Sequence, residues 1–350
     1  MSLTIPVSLL ISSKNRNFAQ LMVKIGNIEL PDFPLLLAPM EDVSDPPFRR
    51  LCKMHGADLM YSEFISSEGL IRDAIKSRKK LDIFDYERPV GIQIFGGDEE
   101  AMAMSARIVE TVEPDLVDIN FGCPVKKVVC KGAGAGVLKD IDLMVRLTRA
   151  VVNSTHLPVT VKTRLGWDTE SINIDEVAER LQETGIKALT IHARTRAQMY
   201  KGEADWNHIS RIKNNSNIEI PIFGNGDIDS PEKALEYKQK YDCDGIMIGR
   251  GAIGYPWIFN EIKHFFQTGE NLPKPTVRDR LLAVQQHAEW SVEWKGERPG
   301  LVEMRQHYNN YFKGIPHFKE LKSRFLQALT LPELNELINE AKNQFENVEI

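Results

Sequence analysis

The chain has 350 residues, 42% of them hydrophobic and 27% charged, which suits an ordinary globular protein and leaves room for a barrel of about 250 residues plus a smaller domain. A net charge of −5 excludes a uniformly basic protein that coats nucleic acid, though not an enzyme that meets RNA through one local patch. Four cysteines (Cys52, Cys123, Cys130 and Cys243) lack the CxxC spacing of a zinc site and the framework of a disulfide scaffold, so a reducing, cytoplasmic setting is expected and no metal.

The apolar run at residues 5–11 is too short to span a bilayer, which takes about 20 residues, and no basic segment precedes it as in a secretory signal. Patterned sequence begins at Val23-Lys24-Ile25-Gly26, so residues 1–22 are expected to form a poorly ordered extension. Eight short apolar runs follow, at residues 35–40, 58–63, 90–95, 116–120, 159–162, 188–192, 220–223 and 245–249. Their starts lie 23, 32, 26, 43, 29, 32 and 25 residues apart, room each time for one helix and two loops. That is the signature of repeated βα units. Residues 147–152, 177–181 and 231–237 stand where intervening helices belong. The pattern predicts an α/β fold, a (β/α)8 TIM barrel over residues 23–270, in preference to an open doubly wound sheet. Chemistry in such a barrel gathers at the C-terminal ends of the strands, and Met40, Glu63, Gln93, Asn120, Lys162, His192, Asn225 and Arg250 fall there.

Beyond residue 270 the texture changes. Asn271-Leu272-Pro273-Lys274-Pro275 reads as a linker, and residues 276–350 as a C-terminal helical domain. Leu281, Val284, Ala288 and Val292 mark one face of a helix. Residues 318–329 and 332–345 are also helical in pattern, the second opened by Pro332. Between Arg305 and Arg324, five cations (Arg305, Lys313, Lys319, Lys322, Arg324) face one acid, Glu320, whereas residues 333–350 carry five glutamates against one lysine. His307, Tyr308, Tyr311 and His317 lie among those cations. This segregation suggests an RNA-contacting segment in which rings stack on bases.

Four segments carry candidate chemistry. They are Leu37-Ala38-Pro39-Met40-Glu41-Asp42 after the first run, Asp118-Ile119-Asn120-Phe121-Gly122-Cys123-Pro124 after the fourth, Val161-Lys162-Thr163-Arg164, and Ile191-His192-Ala193-Arg194-Thr195-Arg196. Gly224-Asn225-Gly226-Asp227 and Gly249-Arg250-Gly251 close the series. Glycines after the seventh and eighth strands let backbone N–H groups approach a phosphate, where barrels commonly hold one, and Arg250 adds a charge-assisted donor. Gly132-Ala-Gly-Ala-Gly136 does not directly follow a strand, so it is not read as a dinucleotide fingerprint.

At these segments the chain resembles the tRNA-dihydrouridine synthases, bacterial B-type subgroup, from about Lys24 onward. Asn120-Phe-Gly-Cys-Pro and His192-Ala-Arg-Thr-Arg-Ala-Gln-Met-Tyr-Lys-Gly are the most specific pieces. The resemblance implies an FMN enzyme that reduces a D-loop uridine of tRNA with electrons from NADPH. It places Pro39, Met40, Glu41, Gln93, Lys162, His192, Asn225, Gly226, Asp227, Gly249 and Arg250 around FMN. Lys162 would offset charge on the reduced flavin, and Asp227 would hold the loop that presents Asn225 and Gly226. Asn120 and Arg194 would face the uridine or its sugar–phosphate. Reducing the C5–C6 bond of uracil takes a hydride to C6 and a proton to C5, and Cys123 is the residue suited to give the proton. No segment signals a protein partner, so a monomer is expected. Two other readings stay open from sequence: a flavin barrel acting on a free pyrimidine, such as a dihydroorotate dehydrogenase, and an RNA chaperone with a structural flavin.

Overall fold

The computed structural model describes residues 22–345 and Val348. Apart from Met22, the extension expected over residues 1–22 lies outside the described residues.

The described chain opens with a hairpin, β1 (Val23–Ile25) and β2 (Ile28–Leu30), turned at Gly26-Asn27. Gly26 takes φ +61, the left-handed conformation that a two-residue hairpin turn requires. Eight parallel strands follow: β3 (Leu35–Leu37), β4 (Met60–Tyr61), β6 (Val90–Phe95), β7 (Leu116–Asn120), β8 (Val159–Arg164), β9 (Ala188–His192), β10 (Ile222–Asn225) and β11 (Gly245–Ile248). A two-residue strand, β5 (Ile65–Ser66), adds to β6. The order β3-β11-β10-β9-β8-β7-β6-β4 is closed by Leu37 N–H donating to Leu59 O (2.9 Å) and Asp58 N–H to Leu35 O (2.8 Å). The chain is therefore the predicted (β/α)8 barrel.

Side chains alternate along every strand. Leu35, Leu37, Val90, Ile92, Ile94, Val117, Ile119, Val159, Val161, Leu189, Ile191, Ile246 and Ile248 point outward into one apolar core shared with the helices. Leu36, Leu59, Tyr61, Leu116, Ala188, Phe223 and Met247 form a second, inner core, which the hairpin plugs with Val23, Ile25 and Leu30. The polar residues Gln93, Asp118, Asn120, Thr160, Lys162, Arg164, Thr190, His192 and Asn225 fall in the inward phase, above that apolar plug. Gly224 falls in the outward phase, where the Trp206 ring leaves no room for a side chain: a Cβ there would lie 1.9 Å from the indole.

The limits of five of the eight strands differ from expectation: the fifth runs on to Arg164 and the eighth stops at Ile248. The first two strands are shorter than residues 35–40 and 58–63, and the seventh begins at Ile222 instead of residue 220. Pro221 has no N–H for the ladder, so pairing starts after it and runs on to Asn225.

Helices α1 (Pro46–Met54), α2 (Ser67–Ile71), α3 (Ile75–Lys79), α4 (Glu99–Glu110), α5 (Lys126–Val129), α6 (Ile141–Val152), α7 (Ile174–Gln182), α8 (Asn207–Lys213), α9 (Pro231–Tyr241) and α10 (Ile258–Thr268) surround the barrel. Four more, α11 (Val277–Lys295), α12 (Glu297–Tyr311), α13 (Lys319–Phe325) and α14 (Leu331–Phe345), pack around their own apolar core. α12 is not among the predicted helices, although Leu301, Met304, Tyr308 and Tyr311, buried and spaced 3, 4 and 3 apart, mark a helical face, and α13 stops short of residue 329.

The structure corrects the expectation of base-stacking rings. Tyr308 and Tyr311 are buried, Tyr308 stacking on Phe312, and His307 is buried against Phe48 of the barrel (4.7 Å between rings). These three rings hold the helices together and to the barrel, and are not presented to a ligand. The joint is completed by Lys295–Asp45 (3.1 Å), Trp294 Nε1 to Asp82 (2.8 Å), Gln306 Nε2 to Asp42 O (3.0 Å) and Asn310 Nδ2 to Ile253 O (2.6 Å). No helix among the described residues is long and apolar enough to cross a membrane.

Candidate active site

A cavity of about 1010 Å³ opens at the C-terminal ends of the barrel strands. Of the residues expected to form a site, Pro39, Met40, Glu41, Asn120, Cys123, Lys162, His192, Asn225, Gly226, Asp227, Gly249 and Arg250 line it. Gln93 and Arg194 do not.

Gln93 belongs to a fully buried layer just beneath. Register pairs it with Asp118, and Asp118 with Thr160. Gln93 Nε2 donates to Asp118 Oδ2 (2.5 Å), Thr160 Oγ1 to Asp118 Oδ1 (2.5 Å), and Asn120 Nδ2 to Gln93 Oε1 (2.7 Å). Burial pushes the Asp118 carboxyl up to about 6, against the pull of these hydrogen bonds and of Lys162. The Gln93 amide thus also fixes Asn120.

Asn120 in turn accepts from the backbone N–H groups of Gly122 (2.9 Å) and Cys123 (2.8 Å) through Oδ1. It lines the cavity, yet both ends of its amide are spent on building the loop that carries Cys123. Cys123 is 7% exposed and packs against Val128 and Ala133, with Phe64 and Phe95 alongside. Desolvation raises its thiol above the ordinary value, so it is protonated at neutral pH. A protonated thiol at a cavity wall is a proton donor and a poor nucleophile.

Lys162 pairs in register with Asn120 and Thr190, and its Nζ donates to Asn225 Oδ1 (3.1 Å). Burial first, then the Arg164 charge, lower it to about 8. His192 is held well below its usual range by burial and by the cations Arg164, Lys162, Arg194 and Arg250, so its imidazole is neutral. It can bind a ligand by hydrogen bonding but holds no proton to give as an acid. Asn225 is fixed by Nδ2 donating to Met247 O (2.8 Å).

Asp227 has φ +59 and ties the next loop together. It accepts from Arg194 Nη2 (2.6 Å), Ala204 N–H (2.9 Å) and Arg250 Nη2 (3.1 Å). Burial raises its carboxyl, and the Arg194 hydrogen bond, Ala204 N–H and Arg194 charge outweigh that, leaving it below the usual range. Arg194 is buried, donating also to Lys201 O and Gly202 O. It does not line the cavity, and its guanidinium ties Lys201 and Gly202 to Asp227. Gly226 sits at φ +131, and a Cβ there would meet Ala204 Cβ at 2.8 Å and the His192 ring at 3.3 Å. Only glycine keeps this floor open.

Arg164 and Tyr200, which stand within the quoted motifs but had no role assigned from sequence, also line the cavity. Arg164 spans two loops, its Nε donating to Gly122 O (2.7 Å) and its Nη1 to Thr195 O (3.0 Å) and Met199 O (2.9 Å). It lies two residues beyond Lys162, in the same inward phase, which is the signal that could have found it. Tyr200 lies against Arg250 (5.0 Å), Arg164 (5.7 Å) and His192 (6.4 Å). The C-terminal part adds Lys274, Arg280, Asn310 and Lys313 to the wall, and their separation in sequence gave no hint of it.

Fold and site together define a (β/α)8-barrel enzyme whose cavity gathers cations and a glycine floor for an anionic ligand beside a protonated thiol. Comparison with known proteins makes this specific. The chain belongs to the dihydrouridine synthase family, whose model, described as dihydrouridine synthase (Dus), matches residues 36–347. It is 40% identical to the tRNA-dihydrouridine synthase B of Pseudomonas aeruginosa over 304 residues, covering 87% of this chain and 91% of that one. A probable tRNA-dihydrouridine synthase of Rickettsia conorii is 39% identical, covering 86% of this chain and 90% of the relative. A probable tRNA-dihydrouridine synthase 1 of Synechocystis is 38% identical, covering 96% and 94%. Among solved structures, histamine dehydrogenase from Rhizobium sp. 4-9 aligns with a TM-score of 0.54 at 10% identity over 78% of this chain, which spans about half (51%) of that protein's length. A morphinone reductase variant aligns with a TM-score of 0.51 at 12% identity, covering 73% of this chain and 91% of its own. At such identities these likenesses bear on the barrel fold alone.

Proposed function

We propose that this chain, acting as a cytoplasmic monomer, reduces a D-loop uridine of tRNA to 5,6-dihydrouridine, with FMN as its flavin and NADPH as the reductant. The observation that carries the reading is Cys123, held at the cavity wall by Asn120 with its thiol protonated. Family membership supports the substrate, since the relatives named above are tRNA-dihydrouridine synthases.

The residues present suit a flavin mononucleotide. The open floor at Gly226, with Gly249 and Arg250 beside it, fits one phosphate, and Pro39, Met40 and Glu41 line the cavity next to it, after the neighbouring strand β3. Lys162 brings positive charge and His192 a neutral imidazole to the same space. When bound, the flavin supplies hydride to C6 of uracil and is restored by NADPH. Cys123 gives its proton to C5 and regains one from solvent, so the base gains two electrons and two protons in balance. The target base is stacked in folded RNA and must be turned out into the cavity.

Purified protein should be yellow and release FMN, not FAD. Cys123→Ala should keep the flavin but slow dihydrouridine formation by about 10²–10⁴, the usual cost of losing a general acid. Undiminished turnover of tRNA by this variant would remove Cys123 from the reaction. Oxidation of NADPH by free uracil derivatives but not tRNA would favour the free-pyrimidine reading.

A further inference from the structure

Four arginines are buried among the described residues: Arg49, Arg164, Arg194 and Arg280. Arg49 is neutralised by Glu87 and Arg194 by Asp227, and neither lines the cavity. Arg164 and Arg280 do line it, and among the described residues neither has a carboxylate at ion-pair distance. A guanidinium taken out of water without a counter-charge is costly. Among the described residues, the buried arginines that bear it are the two at the cavity wall.

Arg164 is accounted for at the Cys123 loop. Arg280 is not. It stands in the first turns of α11, at the joint with the barrel, and is only 4% exposed. Its donors reach carbonyls alone: Nε to Pro275 O (3.1 Å), Nη1 to Lys313 O (2.6 Å) and to Tyr311 O (3.4 Å). Glu261, whose charge reaches Arg280, already accepts from Tyr255 Oη (2.6 Å) and Lys274 Nζ (3.2 Å). Lys313 lines the same wall, is exposed, and has no ion pair among the described residues. One buried cation thus holds the backbone of the turn that carries a solvent-facing one, and among the described residues no acid is at ion-pair distance from either.

We propose that Arg280 and Lys313 form a phosphate site separate from the Gly226–Gly249 floor, and that its ligand is a phosphodiester of the RNA strand that carries the reacting uridine into the cavity. This rests on the tRNA reading above. A phosphate could also come from the flavin nucleotide, but Lys313 faces solvent, from which a macromolecular backbone arrives. A planar guanidinium whose inner edge is fixed by carbonyls is held ready for such a group.

The test measures tRNA binding to flavin-loaded protein by fluorescence anisotropy across a salt series, with Lys313→Glu and Arg280→Gln. Each variant is expected to raise Kd about tenfold or more, as for loss of a charge-assisted hydrogen bond. Each should also flatten the slope of log K against log salt by roughly 0.7–0.9 for each phosphate no longer neutralised. The preference for FMN over riboflavin should not change. Wild-type Kd and slope in folded variants would overturn the proposal. So would a loss of that flavin preference, because the phosphate held would then be the flavin's. If Arg280→Gln does not fold, because it also clamps the 311–313 turn, Lys313→Glu alone decides. Wild-type protein that forms no dihydrouridine in tRNA would instead overturn the underlying functional reading, and this proposal with it. Turnover by wild type with unaltered binding by the variants would sink only the phosphate site.

Discussion

Asn120→Ala removes one amide from the bottom of the Cys123 loop. The substitution leaves the N–H groups of Gly122 and Cys123 without their acceptor and Gln93 Oε1 without its donor. The Cys123 N–H and the Gln93 oxygen are buried, whereas the Gly122 N–H is partly reached by water. A buried polar group left unpaired costs about 1–3 kcal/mol, so two such groups put the loss of stability at roughly 2–6 kcal/mol. Urea unfolding should report that as a lower midpoint with little change in slope. The freed loop should also displace the thiol, and a misplacement of about 1 Å can cost on the order of 10² in rate. Dihydrouridine formation should therefore fall while the Kd for tRNA holds. Asn120→Asp, which keeps the acceptor for both N–H groups, should retain more of the stability than alanine does. If Asn120→Ala unfolds like wild type but binds tRNA weakly, the amide's main duty is the uridine contact expected from sequence, and the loop argument is wrong.

Three further outcomes are expected. Gly226→Ala must place a Cβ within 2.8 Å of Ala204 at φ +131, so flavin retention on gel filtration should drop sharply, and full retention would remove the floor from the phosphate argument. Lys162 has a folded-state value of about 8 against an ordinary 10.5. The unfolded chain therefore binds the extra proton between those values, and flavin-free protein should gain stability as pH rises from about 8 to 10.5. Urea midpoints across that window should show the rise in wild type and not in Lys162→Met. The Lys319→Glu, Lys322→Glu double variant should raise KM for tRNA and flatten its salt dependence. Lys319 is exposed, and Lys322 donates only to Asn309, so an unchanged KM would leave the grip to the cavity joint.

How much of this was legible beforehand follows from the range of each interaction. Alternation along Val90–Phe95, Leu116–Asn120, Val159–Arg164 and Ala188–His192 is local. Once one side of a strand is apolar, the pleat sends Gln93, Asn120, Lys162 and His192 to the other, and eight such strands close into a barrel that brings them together. Motif spelling could therefore place Cys123, Lys162, His192 and the glycine loops at one cavity. It could not rank their depth. Gln93 and Arg194 read as ligand contacts because their positions end strands or begin loops; nothing in the sequence signals that Asp118, Asn120 and Asp227 also hold them from the side. Those partners lie 25 to 33 residues away in sequence.

The C-terminal segment shows the same limit from the other direction. Its cations, rings and helices are plain in the sequence, and its apolar spacing determines that it folds on a core of its own. What the spacing lacks is any term for docking. Burial of His307 against Phe48 and the bonds from Gln306 to Asp42 and Asn310 to Ile253 join residues 57 to 264 positions apart. Contacts across such separations leave no periodic trace in the chain. Only the docked tertiary structure brings His307 and Tyr311 together with the barrel's Phe48 and Trp257 and carries Arg280 to the cavity wall, where no carboxylate lies at ion-pair distance among the described residues.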